Sequence, residues 1–160
     1  MLTFLGRDKT LYCFTLFAIA VVLFFSCNGK DFLYHKNIAV DGEVWTTENQ
    51  LPFRFSIADT ATAYIVGLNI RYTLNFPKQN LYVFMHTTFP DGMQTCDTIS
   101  INLFEKDGTP YGKGKRIKEL DVPIAKLRFP MSGQYNIRLE QGMRTEALEG
   151  IATVGLYIEK

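Results

Sequence analysis

The chain has 160 residues, 47% hydrophobic and 14% aromatic, with 17 Lys and Arg against 16 Asp and Glu for a net charge of +1. That length holds one domain of ordinary size. The even charge balance excludes the clustered positive charge that nucleic-acid binding demands, and three cysteines are too few to build a disulfide scaffold.

The first element is an apolar run over residues 11–25, behind a short head carrying Arg7 and Lys9, and it ends at Ser26-Cys27. Charged head, apolar stretch and a small residue before a cut are the grammar of an export signal. A cysteine directly after the small residue makes it a lipoprotein signal, with Cys27 as the lipidated first mature residue. The competing reading is an uncleaved anchor. A spanning helix needs roughly 20 apolar residues, and this run has fifteen. Residues 1–26 are therefore expected to be a signal peptide, residues 27–31 the lipidated cysteine and a polar tether, and residues 32–160 the folded domain.

Residues 1–26 hold Arg7, Lys9 and Asp8, so the remainder carries fifteen cations and fifteen anions and is formally neutral. Cys13 lies in the signal and Cys27 is acylated. Cys96 is then a lone thiol, read as a half-buried strand residue, and apolar burial must hold the domain together. Thirteen Phe and eight Tyr can supply it.

From Phe32 onward the pattern is period-two alternation broken by turn residues, which is the signature of strands. Phe53, Phe55 and Ile57 alternate with Arg54 and Ser56. Tyr64, Val66, Leu68, Ile70, Tyr72, Leu74 and Phe76 make the longest run, with the even-numbered set inward. Leu81, Val83, Met85 and Phe89 share one face of the next strand. Tyr82 and Phe84 lie on its other face, so this strand is central or covered on both sides. Pro90-Asp91-Gly92 turns the chain, Ile99, Ile101 and Leu103 alternate, and Asp107-Gly108 marks a hairpin. Residues 109–116 read as an exposed loop. Residues 122–129 form a weaker strand that Pro123 assigns to an edge. Tyr135, Ile137 and Leu139 are followed by residues 143–149, which could hold one helical turn, and Val154, Leu156 and Ile158 close the domain. Seven to eight strands without a long helix give an all-β, antiparallel β-sandwich, immunoglobulin-like or jelly-roll, expected to be monomeric on its own.

Residues able to carry chemistry are sparse. His35 and His86 have no second histidine or carboxylate at ligand spacing, and each is assigned a structural role. Asp91, Glu105 and Asp107 are oxygen donors of the kind calcium takes, but Asp-Gly is also what the turns require. Gly112-Lys113-Gly114-Lys115 lacks the spacing of a phosphate loop. Trp45 is assigned to the core rather than to a sugar platform. No catalytic residue, metal site or cofactor is expected. One segment, residues 140–146, follows a strong strand, breaks the alternation and is charged. Glu140, Gln141, Met143 and Arg144 are its candidate partner-binding residues, because a polar loop held by rigid strands is where recognition commonly lies. Internal pairing of Arg144 with Glu140 or Glu146 is the competing assignment.

The string Asn80-Leu81-Tyr82-Val83-Phe84, continuing to Phe89-Pro90-Asp91-Gly92, resembles the gliding-motility lipoprotein family GldH of the Bacteroidetes. So do Arg128-Phe129-Pro130, Gly133-Gln134-Tyr135, Glu140-Gln141-Gly142-Met143-Arg144, Leu148-Glu149-Gly150-Ile151 and Val154-Gly155-Leu156. The resemblance spans essentially the whole chain after Cys27. It implies a non-catalytic lipoprotein of the outer membrane, attached through its lipid and contacting envelope proteins of the gliding and type IX secretion apparatus. Lys30-Asp31 resembles the charged tag that sends such lipoproteins to the cell surface. The alternative from the sandwich pattern alone is a surface carbohydrate-binding module.

Overall fold

A computed structural model describes residues 31–160; the signal segment, Cys27 and all of the tether but Asp31 lie outside the described residues. Ten strands follow in order: β1 (Phe32–Ala39), β2 (Val44–Thr46), β3 (Leu51–Ile57), β4 (Tyr64–Thr73), β5 (Asn80–Thr88), β6 (Gln94–Asn102), β7 (Ile117–Leu127), β8 (Gly133–Gln141), β9 (Ala147–Glu149) and β10 (Ile151–Glu159). All pairings are antiparallel. One four-stranded sheet has the order β1-β10-β4-β7 and the other β3-β8-β5-β6, with β2-β9 a separate ribbon. The molecule is an all-β sandwich. Ten strands replace the seven to eight read from the sequence, because β2 and β9 have three residues each and are too short to show a period.

The core forms where alternation is clearest. Val66, Leu68, Ile70 and Tyr72 of β4 are buried, as are Val154, Leu156 and Ile158 of β10 beside them. Phe53, Phe55, Ile57, Leu81, Val83, Tyr135, Ile137 and Leu139 face them from the second sheet. Leu74 departs from the expected inward set and is 51% exposed. The strand ends at Thr73, whose carbonyl accepts from the amide of Phe76 at 3.2 Å, and this turn sends Phe76 inward instead.

The outer face of β4 is also covered. Tyr157 of β10 lies across Gly67, leaving no room there for a side chain, and Asn37 of β1 fills the equivalent space at Gly155. Asn69 is buried on this face and donates to Glu119 at 3.0 Å and to Asp121 at 2.7 Å. Arg71 pairs with Glu119 at 3.2 Å. Hydrogen bonds from Arg71 and then Asn69 hold the Glu119 carboxyl below its ordinary range.

Aromatic rings fill both ends of the core. Phe55 stacks on Tyr135 at 5.6 Å, and Phe129 meets Tyr135 edge-on at 4.9 Å. At the other end, Tyr72 packs on Phe104 and Phe76, and its hydroxyl donates to the carbonyl of Tyr111 at 2.7 Å. Trp45 is fully buried, as its core assignment required, and its ring N–H donates to the carbonyl of Asn49 at 2.8 Å. It stands opposite Leu148, also buried, in the β2-β9 ribbon. That pairing turns residues 147–149 into a strand where one helical turn was expected. Pro123 does lie on an edge strand, β7.

Leu68 is fully buried at the centre of this packing. Leu68→Ala should cost about 2–5 kcal/mol, the range for a buried leucine truncation. Urea denaturation of the purified domain checks this, and a loss below about half a kcal/mol would be incompatible with the inward face described.

Candidate functional site

Side chains alternate across a strand, so the burial of Leu81 and Val83 turns Tyr82 and Phe84 to the outer face of β5. β5 is central in its sheet, as the sequence indicated, but nothing covers this second face completely: Tyr82 is 41% exposed. A groove of 590 Å³ runs over the two rings, lined by Lys78, Thr98, Gly142, Met143, Arg144 and Thr145 as well. The segment after β8 forms one wall. The amide of Gly142 donates to the carbonyl of Tyr82 at 2.7 Å, and the amide of Tyr82 to the sulfur of Met143 at 3.3 Å. Phe84 packs against Gly142, where a larger side chain would press on its ring.

The four residues singled out in the sequence divide into two pairs. Gln141 ends β8 and is 1% exposed. Its Nε2 donates to the carbonyl of Thr145 at 2.6 Å, and its Oε1 accepts from the amide of Met143 at 2.8 Å. This amide closes the turn from within and is not itself available to a partner. Glu140 is half-buried and accepts from Gln50 at 2.8 Å and lies 3.1 Å from Nε2 of His86. Met143 and Arg144 reach the groove. Arg144 is exposed and makes no ion pair with any described residue, neither with Glu140 nor with Glu146. Lys78, which also lines the groove, is likewise exposed and unpaired among the described residues. The groove lining therefore combines two aromatic rings and a thioether with two cations that are unpaired among the described residues.

Lys78, Tyr82, Phe84, Thr98 and Thr145 were not among the sequence candidates. The signal for Tyr82 and Phe84 was present in the two-faced pattern of β5, where it suggested a covered strand. Lys78 carried no signal, since only the fold brings the β4–β5 connection beside the residues after β8.

Other candidates resolve into structural work. Oδ1 of Asp91 accepts from the amide of Met93 and Oδ1 of Asp107 from that of Thr109, each at 2.9 Å, which is turn formation. Lys113 exchanges two backbone hydrogen bonds with Glu119, so the Gly-Lys-Gly-Lys stretch returns along β7. His35 stacks on Phe32 at 4.9 Å. Cys96 is exposed on β6, not half-buried, because β6 is an edge strand; it stands opposite His86. Among the described residues no three His, Cys, Asp or Glu side chains converge as a metal site.

Comparison with known proteins agrees with the sequence resemblance. The chain is 29% identical over 154 residues to the gliding motility lipoprotein GldH of Flavobacterium johnsoniae, covering 89% of this chain and 92% of that one. It is 28% identical over 158 residues to a GldH homolog of Christiangramia forsetii, covering 91% and 93%. Among solved structures, dimeric latent PorU from Porphyromonas gingivalis overlaps 81% of this chain and 13% of that chain, at 10% identity and a TM-score of 0.30, which is too low to bear on function. The model of the GldH lipoprotein family matches residues 32–158, nearly all of the folded domain, and the chain belongs to that family.

Proposed function

We propose that this protein is a lipid-anchored, non-catalytic component of the outer-membrane machinery for gliding and type IX secretion, and that it works by holding a partner protein in the groove over Tyr82 and Phe84. The relatives' description as gliding motility lipoproteins supports the setting. The contact role rests on the groove itself. Two cations that are unpaired among the described residues line it together with two aromatic rings and a thioether, and arginine, methionine, tyrosine and phenylalanine, though not lysine, are among the residues enriched at protein interfaces. The complementary occupant is a segment with carboxylates set around an apolar or aromatic residue. Buried Gln141 fixes the wall beforehand, so little loop ordering opposes binding.

A second reading is a carbohydrate site, favoured by the exposed ring of Tyr82. The groove has side-chain acceptors in the hydroxyls of Tyr82, Thr98 and Thr145, but its two cations, Lys78 and Arg144, match carboxylates better than neutral sugar hydroxyls. The acidic peptide segment is therefore preferred.

Four experiments check this reading. Mass spectrometry of the native protein should find Cys27 as an acylated N-terminus; an intact, unacylated segment over residues 1–30 would remove the anchor. Lys78→Ala combined with Arg144→Ala should weaken capture of the envelope partner about tenfold, as two exposed ion pairs of about 0.7 kcal/mol each would, while the melting temperature stays put. A drop in melting temperature with a proportional loss of capture would make these residues structural. Tyr82→Ala that abolishes glycan binding and spares protein capture would establish the sugar reading instead. Gln141→Ala should behave in the opposite manner to the cation variants. It removes two hydrogen bonds, to the Met143 amide and the Thr145 carbonyl, together about 1–3 kcal/mol at about 0.5–1.5 each, so stability and capture should fall together in thermal melts and pull-downs.

A further inference from the structure

The two sheets have four edge strands, β1, β7, β3 and β6, and three of them are guarded. β1 carries a register shift between Phe32 and Tyr34 and presents Lys36. β7 contains Pro123, a shift opposite Val66 and Gly67, and a backbone bridge from Lys113 that caps Glu119. β3 contains Pro52. Bulges, proline, lysine and covering segments are the devices by which native edges avoid pairing with another chain. Among the described residues β6 has no bulge, proline, lysine or covering segment, and Asp97 is its one charged side chain. It runs nine residues in unbroken register with β5, has threonine at 95 and 98 and isoleucine at 99 and 101, and is exposed throughout Gln94 to Thr98. Among the described residues, no backbone bond leaves β6 except toward β5.

The single charge on this strand is Asp97, which makes no hydrogen bond or ion pair with a described residue. Its effect is selective. If a second copy paired antiparallel about residue 96, 97 or 98, the two Asp97 side chains would stand directly opposite or on the diagonal, within about 8 Å on one face. Like charges so placed oppose the pairing. A foreign strand with lysine or arginine at that place is favoured by the same carboxylate.

We infer that β6 is a strand-addition site, extended by a β-strand of a different protein that sets a cation against Asp97. Backbone hydrogen bonds would supply the affinity and the Asp97 contact the register, the ordinary division of labour in strand addition. This surface is separate from the walls of the groove except at Thr98, and the inference stands without the groove.

The test uses the full lipidated chain in its native envelope. A photoreactive phenylalanine analogue is placed at Gln94 and at Thr95, which lie on opposite faces of β6, and as controls at Ser56 on β3 and Lys126 on β7. Crosslinked peptides are sequenced by mass spectrometry. The expected result is that both β6 positions join one partner segment, at sites one or two residues apart and within two residues of a lysine or arginine. Asp97→Lys should cut that yield at least tenfold without changing the melting temperature. Crosslinks to a second copy or to this chain itself, equal yields at all four positions, no crosslinks, or indifference to Asp97→Lys would each overturn the inference.

Discussion

The pairing of β4 with β10 is the constraint on which the rest of the domain depends. These are the two central strands of their sheet and are buried on both faces. Inward, Val66, Leu68, Ile70 and Tyr72 lie beside Val154, Leu156 and Ile158. Outward, Tyr157 covers Gly67 and Asn37 covers Gly155. A slip of one residue would turn every inward side chain outward, and it would also set Tyr157 against a residue that has a Cβ. The register is thus fixed from both sides at once. A described domain whose one cysteine is unpaired has only such interlocking burial to specify a single structure.

The groove is a consequence of the same discipline in the second sheet. β8 follows β5 in register from Asn136 to Gln141. Leu139 must face the core, so Glu140 faces outward toward His86, and Gln141 falls inward at the place where the strand ends. A buried amide there must satisfy its donors and acceptor, and it does so with the Met143 amide and the Thr145 carbonyl of the next four residues. The turn is folded around Gln141 for this reason, and its exposed residues are presented at the rim of Tyr82 and Phe84. A polar residue in a core position thereby shapes the wall of the groove without lining it.

The fold was largely legible because period-two alternation directly reports a face. It identified the inward sets of β3, β4, β8 and β10 residue by residue, and Pro123 identified an edge. It failed where the period is too short to read, at β2 and β9, and where a turn changes the count, at Leu74. The outer face of β4 misled in another way. Gly67 and Asn69 look like the residues of a solvated face, yet they are buried, since small size and an amide group are also what packing under a tyrosine and bonding to two carboxylates require. At the site, charge and loss of alternation pointed to residues 140–146, and Met143 and Arg144 do reach the groove. Sequence could not separate them from Gln141, because burial of a glutamine depends on strand parity at the end of β8. Nor could it join them to Lys78 and Thr98, which are distant along the chain.

Affinity for an extended, flexible segment is limited by the ordering that the segment must undergo. A rigid groove reduces only the receptor's share of that cost. Attachment to a membrane reduces a further part, because receptor and partner confined to one surface meet at a raised effective concentration, as linked modules do. Modest contacts then suffice, and two exposed cations over an apolar floor are modest contacts. The same reasoning bears on β6. An unguarded edge is hazardous in proportion to how often it meets other strands, so an open edge on a tethered domain needs a rule of admission. The Asp97 carboxylate in the middle of the strand would provide one: it opposes pairing with a second copy and favours a strand that carries a cation. The formal neutrality of residues 27–160, fifteen cations against fifteen anions, fits this arrangement, since no large net field competes with a few placed charges.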